Sequence, residues 1–174
     1  MKRWLFIVCL ISSACSSIRV QYDYDRGTDY SNYNTYNYYP DMQTGLNELD
    51  TKRLLRAMDS VLQTKGIQFS EEADFLINIE SREFQMPQRN TVGVGVGGTG
   101  RNVGGGVAIG LPIGASNRQT EIVFDFVDSR KDALFWQAIS ESSLRDNASP
   151  NTKEKMLRAI VAKVFSKYPP TRNK

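Results

Sequence analysis

Between residues 120 and 139 the chain carries a pattern that few folds accommodate. Thr120, Ile122, Phe124 and Phe126 alternate with Glu121, Val123, Asp125 and Val127. A polar stretch, Asp128-Ser129-Arg130-Lys131-Asp132, then leads to Leu134, Phe135, Trp136, Gln137, Ala138 and Ile139. A period of two on both sides of a polar turn predicts two antiparallel strands, each with one buried face. On this reading Trp136 is a core residue sharing its face with Leu134 and Ala138, since alternate residues line one side of a strand. Phe124 and Phe126 are read as core by the same logic. A sheet with one apolar face needs a second layer to cover it.

The covering layer is visible on either side. Within 46–65, Leu54, Leu55, Met58, Val61 and Leu62 recur at spacings of three and four, one face of a helix. Gly66 is placed to end it in the left-handed conformation, with Ile67 folding back on Leu62. Near the C-terminus, Ser149, Pro150 and the Asn151 to Glu154 spacing are start signals for a helix carrying Met156, Leu157, Ile160, Val161, Val164 and Phe165. Pro169-Pro170 stops it. Two further strands follow from alternation: Ile18, Val20, Tyr22 and Tyr24, and then Phe75, Ile77 and Ile79, extending through Phe84 until Pro87. Residues 92–114 hold ten of the thirteen glycines and are expected to form a glycine-weakened hairpin or loop. The expected fold is α+β in two layers: a mostly antiparallel or mixed sheet with both helices on one face, in the order β-α-β-(Gly-rich hairpin)-β-β-α. The first strand, the first helix and the second strand are expected to form a right-handed crossover.

The N-terminus predicts export. Lys2 and Arg3 precede an apolar run from Trp4 to Ile11, then Ser12, Ser13, Ala14 and Cys15. Eight apolar residues are too few for a permanent span, which needs about 20, and fit a cleaved leader instead. Small residues before a cysteine match the bacterial lipobox, although Ser12 stands where Leu, Val or Ile is usual. Cleavage between Ala14 and Cys15 would leave Cys15 as the lipid-bearing first residue. The expected organisation is a leader at 1–14, a lipidated N-terminus at 15–17, one domain at 18–170 and a tail at 171–174. Cys9 leaves with the leader and Cys15 is acylated, so no disulfide is available and the core must carry the fold. Three acyl chains anchor far more firmly than a single one, at about 0.8 kcal/mol per buried methylene. Ser16 in place of an aspartate points to the outer membrane; the domain is expected to face the periplasm rather than the cell surface, although no residue fixes that choice.

Charge and missing residue types limit the chemistry. The net charge is +3, of which the leader's Lys2 and Arg3 account for two, so no nucleic-acid footprint is present. There is no histidine, which excludes Ser-His-Asp and Cys-His nucleophile activation and every histidine-ligated metal site. No cofactor or metal site is expected. Gly95-Val96-Gly97-Gly98-Thr99-Gly100 fits the dinucleotide fingerprint formally, but no amphipathic helix follows and position 120 is a threonine rather than an acid. Asp125 and Asp128 are the best carboxylate pair, yet three residues apart they point to opposite faces and do not converge on one bond. Asp128 is better read as a turn former, and Asp74 likewise. Residues 27–40 are dense in Tyr and Asn and read as an extended or looping segment. Its rings are read first as a cover for the core, and otherwise as a ligand or partner surface formed by Tyr33, Tyr36, Tyr38 and Tyr39.

These landmarks occur in an order that resembles a known family. They are Tyr22-Asp23-Tyr24-Asp25, Tyr33-Asn34-Thr35-Tyr36, Lys65-Gly66-Ile67, Ala73-Asp74-Phe75-Leu76-Ile77, the glycine-rich middle, Asp125-Phe126-Val127-Asp128, Leu134-Phe135-Trp136 and Tyr168-Pro169-Pro170. Together they resemble the bacterial lipoprotein family of the domain of unknown function 4136, over nearly all of the chain after the leader. The resemblance implies a lipid-anchored envelope protein with an α+β sandwich and no established activity. The expected function is a non-enzymatic module presented at the outer membrane to another envelope protein. The alternative is a binding module for a cell-wall glycan or a small apolar molecule.

Overall fold

The structure, a computed structural model, describes residues 18–85, 118–144 and 147–171. The expected leader, with Ala14 and Cys15, the glycine-rich segment 92–114 with its fingerprint match, and most of the expected tail lie outside the described residues. Strand β1 (Arg19–Tyr24) is followed by a 3-10 turn (Tyr30–Asn32), β2 (Thr35–Tyr38), helix α1 (Glu48–Thr64), β3 (Gln68–Phe69) and β4 (Phe75–Gln85). Then come β5 (Arg118–Asp128), β6 (Ala133–Ser142), α2 (Pro150–Val164) and a second 3-10 turn (Phe165–Lys167). The six strands form one sheet in the order β1-β6-β5-β4-β2-β3. β1, β6, β5 and β4 pair antiparallel, whereas β2 runs parallel to both β4 and β3. The α+β class and the mixed sheet expected from the sequence are what the chain adopts.

One face of the sheet is dry. Phe75, Ile77 and Ile79 from β4, Ile122, Phe124 and Phe126 from β5, and Trp136 and Ala138 from β6 are buried. They share a core with Leu54, Met58 and Leu62 of α1 and Leu157, Ile160, Val161 and Val164 of α2. Phe126 lies within 4.6 Å of Trp136, 4.9 Å of Tyr168 and 5.0 Å of Phe75, ring centre to ring centre. Such offset and edge-on contacts add to what area burial alone provides. The intervening residues of β4 and β5, such as Leu76, Asn78, Val123 and Asp125, are only half-buried and leave the other face open.

Both helix ends carry the expected chemistry, the second with only part of its start signals used. After α1 the Gly66 N–H donates to Gln63 O and the Ile67 N–H to Leu62 O, both at 3.0 Å, with Gly66 at φ +81°. This is the paired closure that a left-handed glycine permits. α2 is capped by Ser149, whose hydroxyl accepts from the Thr152 N–H at 3.3 Å, with Pro150 in the first turn. Asn151 therefore lies inside the helix and does not cap it, because the Ser149 hydroxyl already takes the capping position, accepting from the Thr152 N–H.

Two expectations are corrected. The crossover joins β2 to β4 through α1; β1 instead pairs with β6 at the opposite side of the sheet. β4 has one edge taken by eleven residue pairs with β5, and its other edge by the tyrosine-rich strand, so neither edge is open to β1. The hairpin also breaks alternation. Its register shifts between Phe126 and Val127, which pair with Trp136 and Leu134, so Phe135 has no opposite number. Such a bulge brings two successive side chains to one side. Phe135 and Trp136 are both buried, and Leu134, expected on their face, is turned outward with 52% exposure.

Register also fixes the two ends of the sheet. Arg19 pairs with Glu141, which pairs with Glu121, which pairs with Arg82, so the start of β1 lies at the same end as the last residues of β4. Tyr24, Phe75 and Asp128 lie at the other end, about 20 Å along a six-residue strand. Among the described residues no helix is long and apolar enough to cross a membrane.

Candidate binding site

At the end of the sheet remote from Arg19, the chain leaving β1 meets the chain leaving α2. Tyr24, Asp25, Arg26, Thr28, Asp29, Tyr30 and Ser31 form one wall of a cleft, and Pro169, Pro170 and Thr171 the other. Its volume is about 490 Å³, within the range of ligand clefts.

Short polar side chains shape the first wall. The Asp25 carboxylate accepts from the Gly27 N–H at 2.9 Å and the Thr28 hydroxyl at 2.7 Å, folding the chain back directly after the strand. These donors hold its pKa below the usual carboxylate value, so it is an ionised acceptor at neutral pH. Asp29 starts the 3-10 turn by accepting from the Ser31 N–H at 3.2 Å. Tyr30 forms the floor: its hydroxyl donates to Phe135 O at 2.9 Å and its ring meets Tyr168 edge-on at 6.0 Å. Burial, with the Asp25 charge nearby, raises its pKa to about 12, so it remains a neutral donor. Tyr24 leaves its ring 38% exposed at the rim. The cleft thus combines rigid apolar surfaces (Tyr24 and the two prolines) with fixed acceptors, an arrangement suited to binding.

The four tyrosines marked in the sequence do not form one surface. Tyr33 stacks on Phe135 at 4.1 Å and 7°, and its buried hydroxyl donates to Asp128 at 2.7 Å. Tyr36 is 2% exposed. Tyr36 and Tyr38 both donate to Asp59 Oδ1, at 2.6 and 2.7 Å. Tyr39 alone turns to the open face of the sheet, where it lines a second recess of about 450 Å³ with Met42, Asn78, Asp125, Val127 and Leu134. The segment's rings therefore largely cover the core.

The carboxylates behave as turn and cap formers. Asp128 is buried and accepts from the N–H groups of Arg130 and Lys131 at 2.9 and 2.8 Å. Asp125, on the other face, accepts from Gln137 Nε2 at 2.6 Å. Asp74 accepts from the N–H groups of Asn34 and Thr35 and from the Thr35 hydroxyl, pinning the start of β2 to the start of β4. Among the described residues no three acidic or cysteine side chains gather as a metal site would require. The cleft itself was hidden in the sequence because its walls lie some 140 positions apart. Its signal was nevertheless present: Tyr24-Asp25 and Pro169-Pro170 are the first and last landmarks of the family resemblance.

Comparison with known proteins agrees with this geometry at the level of fold. Residues 20–170 match the family profile described as Domain of unknown function (DUF4136). No curated protein matches the chain in sequence. Among solved structures, a PDZ domain protein from Parabacteroides distasonis is similar at 14% identity and a TM-score of 0.57, with 91% of this chain and 36% of that one covered. This chain thus spans little more than a third of that protein's length. A PelC dodecamer from Paraburkholderia phytofirmans is similar at 10% identity and a TM-score of 0.50, covering 86% and 96%. At such identities the likeness is one of fold alone.

Proposed function

The chain belongs to the DUF4136 family, and from that premise we propose that it is a lipid-anchored, non-enzymatic protein of the cell envelope whose remote cleft receives a segment of a partner protein. The observation that carries this reading is the position of the cleft. Cys15 precedes Ile18 by three residues, a reach of about 10 Å for extended chain. Lipid on Cys15 would hold the Arg19 end of the sheet against the bilayer and turn the cleft away from it. The leader and Ser16 support the outer membrane as the protein's location, and on this proposal the domain lies on the periplasmic side.

The occupant that suits the cleft is an extended segment of another envelope protein. Exposed Tyr24 offers an aromatic surface of the kind on which extended, proline-containing peptides dock, with the apolar Pro169-Pro170 ridge facing it. Asp25, ionised at neutral pH, offers an acceptor for the segment's N–H groups. Tyr24→Ser, at an exposed site, leaves the fold intact and removes the rim. Cross-linking in membranes with the tagged chain should capture a partner that the Tyr24→Ser chain loses. Equal capture by both, or turnover of glycan, peptide or phosphoester substrates by the purified protein, would overturn the reading. Anchorage is checked separately: Cys15→Ser should release the protein from the membrane fraction and block normal processing.

One feature favours a second reading, a cell-wall glycan in the same cleft. Tyr24 stands beside Asp25, Thr28 and Asp29, much as a sugar ring would require a stacking surface next to acceptors. Peptidoglycan fragments that shift both the fluorescence and the melting temperature would support it over the protein partner.

A further inference from the structure

A different recess lies on the far side of the molecule, where β2 and β3 meet the last turns of α1. Tyr36, Tyr38, Asp59, Gln63, Gly66, Ile67, Gln68 and Phe69 enclose about 400 Å³. Asp59 Oδ1 takes both tyrosine hydroxyls. Among the described residues its other oxygen accepts no hydrogen bond, and no lysine or arginine pairs with it or lines the recess. At the mouth Phe69 is 59% exposed, and it meets Tyr36 edge-on at 5.8 Å.

From these contacts we infer that the recess is a binding site for an organic cation, an alkylammonium or alkylguanidinium group, with Asp59 as its counter-ion and Phe69 and Tyr38 as its aromatic walls. Three physical points support it. The two hydroxyls fix the carboxylate's orientation without neutralising it, and although Lys52, Arg53 and Arg56 line an adjoining recess with Asp59, none of them forms an ion pair with it. Aromatic faces attract cations, most strongly where water is partly excluded. The remaining polar walls, Gln63 and Gln68, carry amide carbonyls able to accept from the other N–H groups of the ligand. The tyrosines themselves stay protonated and donating, because burial and the Asp59 charge raise the pKa of both. The same chemistry is offered by a lysine or arginine side chain of a neighbouring protein and by a free polyamine.

The test uses the folded domain labelled with nitrogen-15 and three probes of one shape: n-butylammonium, n-butylguanidinium and neutral n-butanol. The cations should shift the amide signals of Gly66, Gln68 and Phe69 in a saturable way, and butanol should not. Asp59→Asn should weaken binding about tenfold, the size expected when a charged partner is lost from a partly desolvated site. Phe69→Ala, at an exposed position, should weaken it severalfold with an unchanged melting temperature, and carries the test if Asp59→Asn does not fold. Equal shifts with butanol, shifts centred elsewhere, or affinity unchanged in these variants would overturn the assignment. Capped lysine binding more tightly than putrescine would identify a protein side chain as the source; the reverse order would identify a free polyamine.

Discussion

Asp50 offers the most direct probe of how the two helices are held together. It lies in the first turn of α1 and is 2% exposed. Its Oδ1 accepts from Arg53 Nη1 at 2.6 Å, and its Oδ2 from Asn47 Nδ2 at 2.6 Å and Lys153 Nζ at 2.9 Å. Lys153 belongs to the first turn of α2, so one carboxylate fastens the starts of both helices. Removing one member of such a buried set leaves the others charged and unpaired, which costs about 3–5 kcal/mol. At about 2–4 °C per kcal/mol for a domain of this size, Asp50→Ala should lower the melting temperature by about 6–20 °C. Acid supplies an independent check. Burial pushes the Asp50 pKa up, but the donors from Lys153, Asn47 and Arg53 outweigh it and leave it below the ordinary value. A carboxylate with a depressed folded pKa contributes stability that is complete above its unfolded pKa of about 4 and is lost as pH falls through the folded one. The stability gap between wild type and Asp50→Asn, from urea midpoints, should therefore be constant from pH 5 to 7 and close below about pH 4. A gap under about 0.5 kcal/mol at pH 7, or one that persists undiminished to pH 2, would refute the reasoning.

Further outcomes follow from single contacts. Gly45 has φ +72°, and a methyl group there would stand 2.6 Å from Ser81 O; Gly45→Ala should cost about 3 kcal/mol from strain and clash together. Gly66 has φ +81° but open space around it, so Gly66→Ala should cost only about 1 kcal/mol, and urea midpoints of the two variants should differ accordingly. Tyr33→Phe removes a buried donor to Asp128 and should cost about 1.5–3 kcal/mol. The Asp128 carboxyl, pushed up by burial but held below its ordinary pKa by Tyr33 and two backbone donors, would then protonate at higher pH, moving acid unfolding of that variant upward.

What the sequence made legible was whatever repeats often enough to show a period. α1, α2, β1, β4 and the β5–β6 hairpin each carry several apolar residues at regular spacing, and the Gly66 closure is written in a single residue that only one backbone conformation needs. β2 and β3 were invisible for the opposite reason. Thr35–Tyr38 and Gln68–Phe69 are too short for alternation to register, and their pairing is parallel, with partners supplied by distant segments. Nothing local announces that Tyr36 and Tyr38 meet Asp59, or that Asp74 ties Thr35 to β4. With no local period to mark β2, the sequence pattern places the crossover at β1, the nearest strand with a clear alternation. The cleft was missed in the same way: its walls are adjacent only because β1 ends where α2 delivers Pro169 and Pro170.

The bulge at Phe135 is the one place where a clear period gave the wrong side chain, and it separates the two descriptions by experiment. A regular hairpin puts Leu134 in the core beside Trp136 and sends Phe135 outward. The observed register does the reverse: Phe135 is 3% exposed and Leu134 52%. Phe135 stacks on Tyr33 and lies edge-on to Phe75 at 5.7 Å, and its carbonyl accepts from Tyr30. It therefore joins the tyrosine-rich segment and the cleft floor to the sheet, which a residue on the open face could not do. Phe135→Ala should cost about 3–5 kcal/mol, the range for a buried phenylalanine, and should also loosen Tyr30 beneath the cleft. Leu134→Lys should cost under about 0.5 kcal/mol, as exposed substitutions do. Urea midpoints in the opposite order, with Leu134→Lys the severe variant, would restore the regular hairpin and remove the bulge that places Tyr30 and Tyr33 against the sheet.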